Sequence, residues 1–375
     1  MRVVIAGGGT GGHISPGLAI AEALLERVPD ATVLFVGGSG METTLVPAAG
    51  WSFAQVASRP LPRGLSLRGL WALSVVGVGS VQALALLARF HPHVVVSTGG
   101  YAAAPVGGAA AVLRIPLIVQ EQNAIPGFTN RILGRWARQV SVPHASAALA
   151  FPGKAVVTGV PIRKRALAGD RDRALARFGL VPYRPTVLVL GGSQGARSLN
   201  TAVVEMVLHR GADMRYQVLH QAGADHVEWV HAQLEVRRRE GLHYVVVPFI
   251  EAINDAYACA DLVLCRAGAA TLAELTANGC PGVVVPYPYA AGGHQEPNAQ
   301  LLEAAGAAIV LRDADLTGDR LGKVLDEVLT DPTRIRAMAV ASRRLGRPEA
   351  AGAVAALVVE AATAPGGEVA RDRSH

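Results

Sequence analysis

The chain has 375 residues, 51% hydrophobic and 17% charged, with 35 Lys and Arg against 29 Asp and Glu. That composition excludes a disordered chain, and the length suggests two domains, each able to bury its own core. The excess charge of +6 is uneven: up to Thr158 there are 11 Lys/Arg and five acids, whereas from Gly159 onward there are 24 of each. No acid falls between Glu42 and Glu121, a stretch that holds Arg59, Arg63, Arg68, Arg89 and Arg114. Aromatics are only 5% and no basic run is interleaved with them, so nucleic acid is not the expected anionic partner. Three scattered cysteines (Cys259, Cys265, Cys280) fit buried thiols better than a disulfide framework, and Cys259 with Cys265 lacks the second pair a metal site needs. The first residues, MRVVIAGGGTGG, lack the ordered regions of a secretory signal.

In chain order, nearly continuous apolar runs at 3–6, 32–36, 94–97, 117–119, 156–158, 186–190, 216–219, 244–247, 262–264 and 283–285 predict parallel strands buried on both faces. Ala/Leu-rich helical stretches separate them, which is the alternation of βαβ units. The pattern restarts. RVVIAGGGTGGH opens the first half, and PTVLVLGGSQGAR opens the second after a Pro/Arg/Gly-rich stretch over 160–185. The expected fold is therefore α/β, with two doubly wound Rossmann-like domains over 1–158 and 159–345, and a frayed tail from 363 to 375.

The segment 69–88, GLWALSVVGVGSVQALALLA, carries no charge. Its length suits a membrane span, but three Gly, two Ser and a Gln also suit a buried or half-buried helix. A third reading is an interfacial helix with Trp71 and Leu65, flanked by Arg63, Arg68 and Arg89.

Two glycine-rich loops carry the chemistry. Gly7-Gly8-Gly9-Thr10-Gly11-Gly12-His13 satisfies G-x-G-x-x-G between a strand and a helix expected from Ile14 to about Arg27. Glycines there let a backbone approach a diphosphate, and a helix start favours an anion. A dinucleotide site also needs an acid at the end of the next strand, where Phe35-Val36-Gly37-Gly38-Ser39 has none, and no Lys completes a Walker loop. The second loop, Gly191-Gly192-Ser193-Gln194-Gly195, satisfies the G-x-S-x-G of a hydrolase elbow, with His294 available. The rival reading makes Ser193 a helix N-cap beside a diphosphate. Two D-x-D triplets, 170–172 and 313–315, read as acidic helix starts rather than metal holders. Cys265-Arg266-Ala267-Gly268 opens a further helix, with Glu274 placed to accept two ribose hydroxyls, and Gly293-His294-Gln295-Glu296 supplies side chains suited to sugar hydroxyls.

Six blocks in order, GGGTGGH from Gly7, GGYAAAP from Gly99, EQNAIPG from Glu121, GGSQGAR from Gly191, CRAGAAT from Cys265 and HQEPNA from His294, resemble the MurG family of glycosyltransferases. The resemblance runs from Arg2 to about Leu345. It implies the glycosyltransferase type B fold, with an N-terminal acceptor and membrane-associating domain, a C-terminal UDP-sugar domain facing it across a cleft, and a helix over 346–362 returning to the first domain. It implies inverting transfer from UDP-N-acetylglucosamine to the 4-hydroxyl of undecaprenyl-diphosphate-N-acetylmuramoyl-pentapeptide in peptidoglycan synthesis, at the cytoplasmic face of a membrane, without cofactor or metal. Its implied donor contacts are Thr10, Gly11, Gly12, Asn123, Arg163, Ser193, the Ile250 backbone on the uracil, the run Ala269, Ala270, Thr271, Leu272, Ala273 and Glu274, and Gln295. Implied partners are the donor, the lipid-linked acceptor and an anionic membrane surface met by Arg63, Arg68, Trp71 and Arg89. Two positions depart from the family: Gln120 stands where His is usual and Ala267 where Ser is common. For the base that an attacking hydroxyl needs, His13 is the candidate, since an imidazole with its ordinary pKa of about 6.5 accepts protons at neutral pH. The plain alternative is a His that caps the helix or holds the acceptor's diphosphate.

Overall fold

The structure is a computed structural model that describes residues 1–60, 67–235 and 243–364. Two compact units form, one from Met1–Arg163 joined by the chain from Glu349, the other from Lys164–Pro348.

The first unit runs β1 (Arg2–Gly7), α1 (Gly11–Arg27), β2 (Thr32–Gly37), α2 (Glu42–Ala48), β3 (Ser52–Gln55), α3 (Leu67–Phe90), β4 (Val94–Gly99), α4 (Ala103–Val112), β5 (Leu117–Gln120), α5 (Phe128–Leu133), β6 (Gln139–Val142), α6 (Ala145–Ala148) and β7 (Ala155–Val157). Its sheet is parallel throughout, ordered β3-β2-β1-β4-β5-β6-β7. Alternation along each strand sends Val3, Ile5, Val94, Val96 and Ile118 to one face, and Val4, Ala6, Val95, Leu117 and Val119 to the other. The first face is covered by α1, α2 and α15 (Ala350–Thr363), whose Val354, Ala355 and Val358 are buried in that layer. The second is covered by α3 to α6.

The second unit runs α7 (Arg171–Phe178), β8 (Thr186–Leu190), α8 (Arg197–Arg210), β9 (Gln217–Gln221), α9 (Val227–Leu234), β10 (Tyr244–Val247), α10 (Ile253–Cys259), β11 (Leu262–Arg266), α11 (Ala269–Ala277), β12 (Gly282–Val285), α12 (Gln295–Ala304), β13 (Ala308–Val310), α13 (Gly318–Leu329) and α14 (Pro332–Leu345). Its parallel sheet is ordered β10-β9-β8-β11-β12-β13. Both units thus have the central strand reversal of doubly wound sheets, at which ligands bind outside the carboxyl ends of the strands.

Three strands lie outside the apolar runs read from the sequence. β3 and β13 are short edge strands, and β6 carries the polar Ser141, whose hydroxyl is 2.7 Å from that of Thr158. An edge strand is buried on fewer sides, so less apolar sequence is needed to hold it.

Two local expectations are corrected. Helix α1 begins at Gly11 rather than Ile14, with Thr10 at its N-cap, so Gly11, Gly12 and His13 form its first turn and His13 is not a cap. Helix α8 has Ala196 at its N-cap, so Ser193 sits in the preceding loop and caps nothing.

The charge-free segment is the half-buried helix of the plain reading, with most of it exposed rather than buried. In α3, Ala72, Ala83 and Leu87 face inward, while Trp71, Leu73, Val78 and Val81 are exposed. The inward positions recur at helical spacing, as a one-sided crossover helix requires. Trp71–Phe90 is long and apolar enough to cross a membrane by composition, with a mean hydropathy of 1.8. It lies between β3 and β4, strands of one sheet, and its Gln82 accepts the Ala57 N–H at 2.7 Å.

Candidate functional site

In the second unit the segments that follow β8, β11, β12 and β13 surround a cavity of about 860 Å³. Gly191, Gly192 and Gly195 form one wall, Gly268 and Thr271 at the start of α11 another, with Tyr287 and Gln295 beside them. Neither α8 nor α11 has an acidic residue in its first turn, so the partial positive charge of each helix start is not offset locally. Gln295, the first residue of α12, accepts the Tyr287 N–H at 2.9 Å, which fixes its amide at the cavity edge.

The floor of the cavity holds a buried cation. The Arg266 guanidinium donates to Asp313 at 2.6 Å and to Ser198 Oγ at 2.5 Å, and Ser198 donates to the same Asp313 oxygen at 2.8 Å. Three elements are thereby locked together: the end of β11, the first turn of α8 and the turn Asp313–Asp315. The two D-x-D triplets therefore differ. Asp170 is the N-cap of α7, accepting from Arg173 N at 2.7 Å, as an acidic helix start requires. Asp313 opens a short 3₁₀ helix (Asp313–Asp315), as an acidic helix start, and in addition forms the cavity ion pair with Arg266, while the α13 cap is Thr317.

Glu274 lies in the second turn of α11, and the Tyr257 hydroxyl donates to its carboxylate at 3.2 Å. Burial pushes Glu274 up to about 7, against the pull of that hydrogen bond and of Arg165. Burial likewise holds the Tyr257 hydroxyl well above its usual range, so it stays a donor. Ile250 is buried, and its N–H donates to Gln221 Oε1 at 2.9 Å. Leu272 departs from the expected run of ligand contacts: its side chain lies in the core and its N–H is spent on Gly268 O at 3.0 Å. Ala269, Ala270 and Thr271 precede it in the first turn, where helix amides have no intrahelical acceptor.

In the first unit, the loop 7–12 rests on a buried carboxylate. Glu42, the first residue of α2, accepts Gly9 N–H at 2.9 Å and Gly38 N–H at 2.8 Å. Room for it requires glycine: a Cβ on Gly8 would lie 2.4 Å from Glu42 Oε1. His13 Nδ1 sits 2.9 Å from the Thr98 carbonyl and 2.6 Å from the Gln122 amide. Nδ1 thus faces a carbonyl, which only accepts, and the Gln122 Nε2, which only donates; in the tautomer that serves the Thr98 carbonyl, Nδ1 carries the hydrogen and the ring's basic lone pair is on Nε2. Asn123 is oriented by Glu121, whose buried carboxylate accepts from Asn123 N, Asn123 Nδ2, Gly127 N and Asn130 Nδ2 at 2.8–3.2 Å. Arg163 Nε donates to Glu22 at 2.7 Å.

On the outer face of α3 the Arg59 guanidinium stacks 4.0 Å from the Trp71 ring centre. Arg89 is exposed in the last turn, Arg68 falls in the first, and Arg63 and Leu65 lie outside the described residues.

The cavity thus joins Thr271 and Gln295 to the loop that carries Ser193, and the sequence reading missed Arg266, Asp313, Ser198, Gln221 and Glu42 as site builders. A glycine-rich loop before a helix start, a buried arginine and a half-buried acid on parallel α/β units define the site of a nucleotide-binding α/β protein. Comparison narrows the class. The glycosyltransferase family 28 N-terminal domain matches residues 3–142, and the glycosyltransferase family 28 C-terminal domain matches residues 186–354. A relative from Halothermothrix orenii is 39% identical over 96% of this chain and 99% of its own, and one from Desulfitobacterium hafniense is 44% identical over 93% and 96%. Both are named UDP-N-acetylglucosamine--N-acetylmuramyl-(pentapeptide) pyrophosphoryl-undecaprenol N-acetylglucosamine transferase. The crystal structure of Acinetobacter baumannii MurG superposes with a TM-score of 0.76 at 30% identity, over 96% of this chain and 99% of that one. The chain belongs to glycosyltransferase family 28, and within it to the MurG family. The hydrolase reading of Ser193 falls with that membership, and three residues separate Ser193 from the helix that an elbow would lead into directly.

Proposed function

We propose that the chain transfers N-acetylglucosamine from UDP-N-acetylglucosamine to the 4-hydroxyl of undecaprenyl-diphosphate-linked N-acetylmuramoyl-pentapeptide, the lipid I to lipid II step of peptidoglycan synthesis. The observation that carries it is the second unit's cavity, where a glycine loop, a helix start and the Gln295 amide converge on one space. In this reading Ser193 and the amides of 269–271 hold the diphosphate, the Ile250 backbone meets the uracil, Glu274 the ribose and Gln295 the sugar. Thr10, Gly11, Gly12, Asn123 and Arg163 are the first unit's contribution to the donor.

In the reaction the acceptor oxygen bonds to the anomeric carbon as the bond to the β-phosphate oxygen breaks. His13 Nε2 takes the hydroxyl proton, and UDP leaves with the electron pair. The leaving group needs charge stabilisation more than a proton, and helix starts with amide-rich loops provide it. Purified protein should move radiolabelled N-acetylglucosamine from its UDP donor onto a lipid-linked muramoyl-pentapeptide; absence of labelled lipid would refute the proposal.

The membrane reading also belongs to this proposal. The exposed apolar side of α3, its Arg59–Trp71 stack and the charge excess of the first half support a peripheral contact with the cytoplasmic leaflet. Changing Arg59, Arg63 and Arg68 to Glu should weaken binding to phosphatidylserine vesicles by more than about tenfold, since each basic residue near such a surface contributes about 1 kcal/mol. Sedimentation with vesicles reads this, and unchanged binding would remove α3 from the contact.

A further inference from the structure

Gln221 is the last residue of β9, the strand between β8 and β10, and its side chain is buried. Its amide reaches both neighbours. Nε2 donates to Gly192 O at 2.9 Å in the loop after β8, and Oε1 accepts Ile250 N–H at 2.9 Å in the segment after β10. We propose that Gln221 is a positioning residue that sets the diphosphate loop and the base-reading backbone together, so that uridine selectivity and diphosphate affinity depend on one side chain. The proposal rests on reading this unit as the UDP-sugar site.

The geometry follows from peptide planarity. In a trans peptide the carbonyl and the following N–H point to opposite sides. Pulling the Gly192 carbonyl down onto Gln221 turns the Ser193 N–H away from it, and Ser193 is exposed. Pulling the Ile250 N–H down turns the Phe249 carbonyl the other way. One amide thus leaves a donor facing out on the first segment and an acceptor facing out on the second. A diphosphate needs the donor. Uracil, whose N3 carries a hydrogen, suits the acceptor, whereas cytosine, whose N3 is a bare lone pair, does not.

The surrounding backbone holds Gln221 in place. Ala222 N–H donates to Val247 O at 3.0 Å and Gly223 N–H to Pro248 O at 3.1 Å. Asn200 Nδ2 donates to Ala222 O at 2.8 Å, and its oxygen lies 3.0 Å from His220 Nε2. The glycine loop presses directly on this segment: at Gly195, with φ of +77°, a Cβ would come within 1.9 Å of Ala222 O. No bulkier residue fits there, so the strand end and the loop move as one piece.

The test uses the full chain and calorimetric titration of UDP, CDP and uridine. Gln221→Met keeps the side chain's volume and removes both hydrogen bonds; it should raise the UDP Kd about tenfold and lower the UDP-over-CDP preference several-fold. Gln221→Glu can still accept from Ile250 but opposes the Gly192 carbonyl. It should keep the UDP-over-CDP preference while losing most of the advantage of UDP over uridine. In turnover both variants should raise the donor KM in step with the UDP Kd and also lower kcat, since the same loop stabilises the leaving diphosphate, while the melting temperature stays near the parent's, a pattern that general loss of structure would not give. Melting curves identify variants that fail to fold, and either variant alone suffices. Unchanged UDP affinity and preference in a folded variant would overturn the proposal. Tighter UDP binding would also overturn it, marking Gln221 as a competitor for the Ile250 N–H. A parent protein with no preference for UDP over CDP would instead bring down the UDP-sugar reading, and this inference with it.

Discussion

The two glycine loops occupy equivalent places, each after a central strand and before a helix, yet they are held by opposite chemistry. Loop 7–12 is held through an N–H: Gly9 donates to the buried Glu42 carboxylate, and the Gly8 carbonyl is turned toward Gly100, where a Cβ would lie 2.3 Å from it. Loop 191–195 is held through a carbonyl by a neutral amide, Gln221. The first loop has taken an internal anion onto its backbone, and the second turns a backbone donor outward. Similar sequence therefore serves different ends. In the proposed reading the donor's diphosphate lies on the second loop, while the first positions the start of α1 and with it His13.

The largest expected effect tests what the first loop is for. If it positions a base, His13→Ala should lower kcat by about 10²- to 10⁴-fold, the usual contribution of general base catalysis, and leave the UDP Kd within about twofold. Single-turnover transfer and calorimetry separate the two quantities. Turnover that survives the change would leave the first loop without a catalytic task.

A smaller effect tests the internal anion. Glu42→Gln retains one acceptor and sets an NH₂ group against the other backbone N–H, so it should cost about 1–3 kcal/mol of unfolding free energy. Urea titration followed by circular dichroism reads that cost. The UDP affinity should fall by less than about twofold, because the proposed reading puts the diphosphate on the other loop and leaves the first loop only a minor share of the donor. A fall in UDP affinity parallel to the stability loss would erase the distinction between the loops.

The strands of both units were legible because runs such as Val94, Val95 and Val96, or Val187, Leu188 and Val189, are apolar on both faces and suit nothing but a covered parallel sheet. The loops were legible through their glycines. What each loop rests on was not. Glu42 lies 33 residues beyond Gly9, and Gln221 lies 29 beyond Gly192. Such partners are set by which strand ends become neighbours, and the strand order arises only when the sheet is assembled. Arg266 and Asp313 meet across 47 residues for the same reason, which is why an acidic triplet read only as a helix start and its ion pair went unseen. The start of α1 was misplaced because glycines are poor helix formers, and Gly11 and Gly12 are helical only through their position after the N-cap.

The smallest effect concerns the acid in the second unit and is read by pH. Glu274 has a folded pKa of about 7 against an ordinary 4.5, because burial disfavours its charge. In the ligand-free protein that raised value means its contribution to stability is fully present below about 4.5 and is lost as pH rises through about 7. Donor binding should run the opposite way. A ribose offers two hydroxyl donors, and an ionised carboxylate accepts both while a protonated one does not. UDP affinity should therefore rise with pH up to about 8 as Glu274 loses its proton, at the pH values where the ligand-free melting temperature falls. Glu274→Gln should bind UDP about tenfold more weakly at high pH, the value of a charge-assisted hydrogen bond or two, and should flatten both profiles. The corresponding test on the first loop is silent: Glu42→Gln should leave the pH dependence of UDP binding as it is. If Glu42→Gln and Glu274→Gln both flattened the profile, the two units would share the nucleotide's charge, and the division of labour between the loops would have to be redrawn.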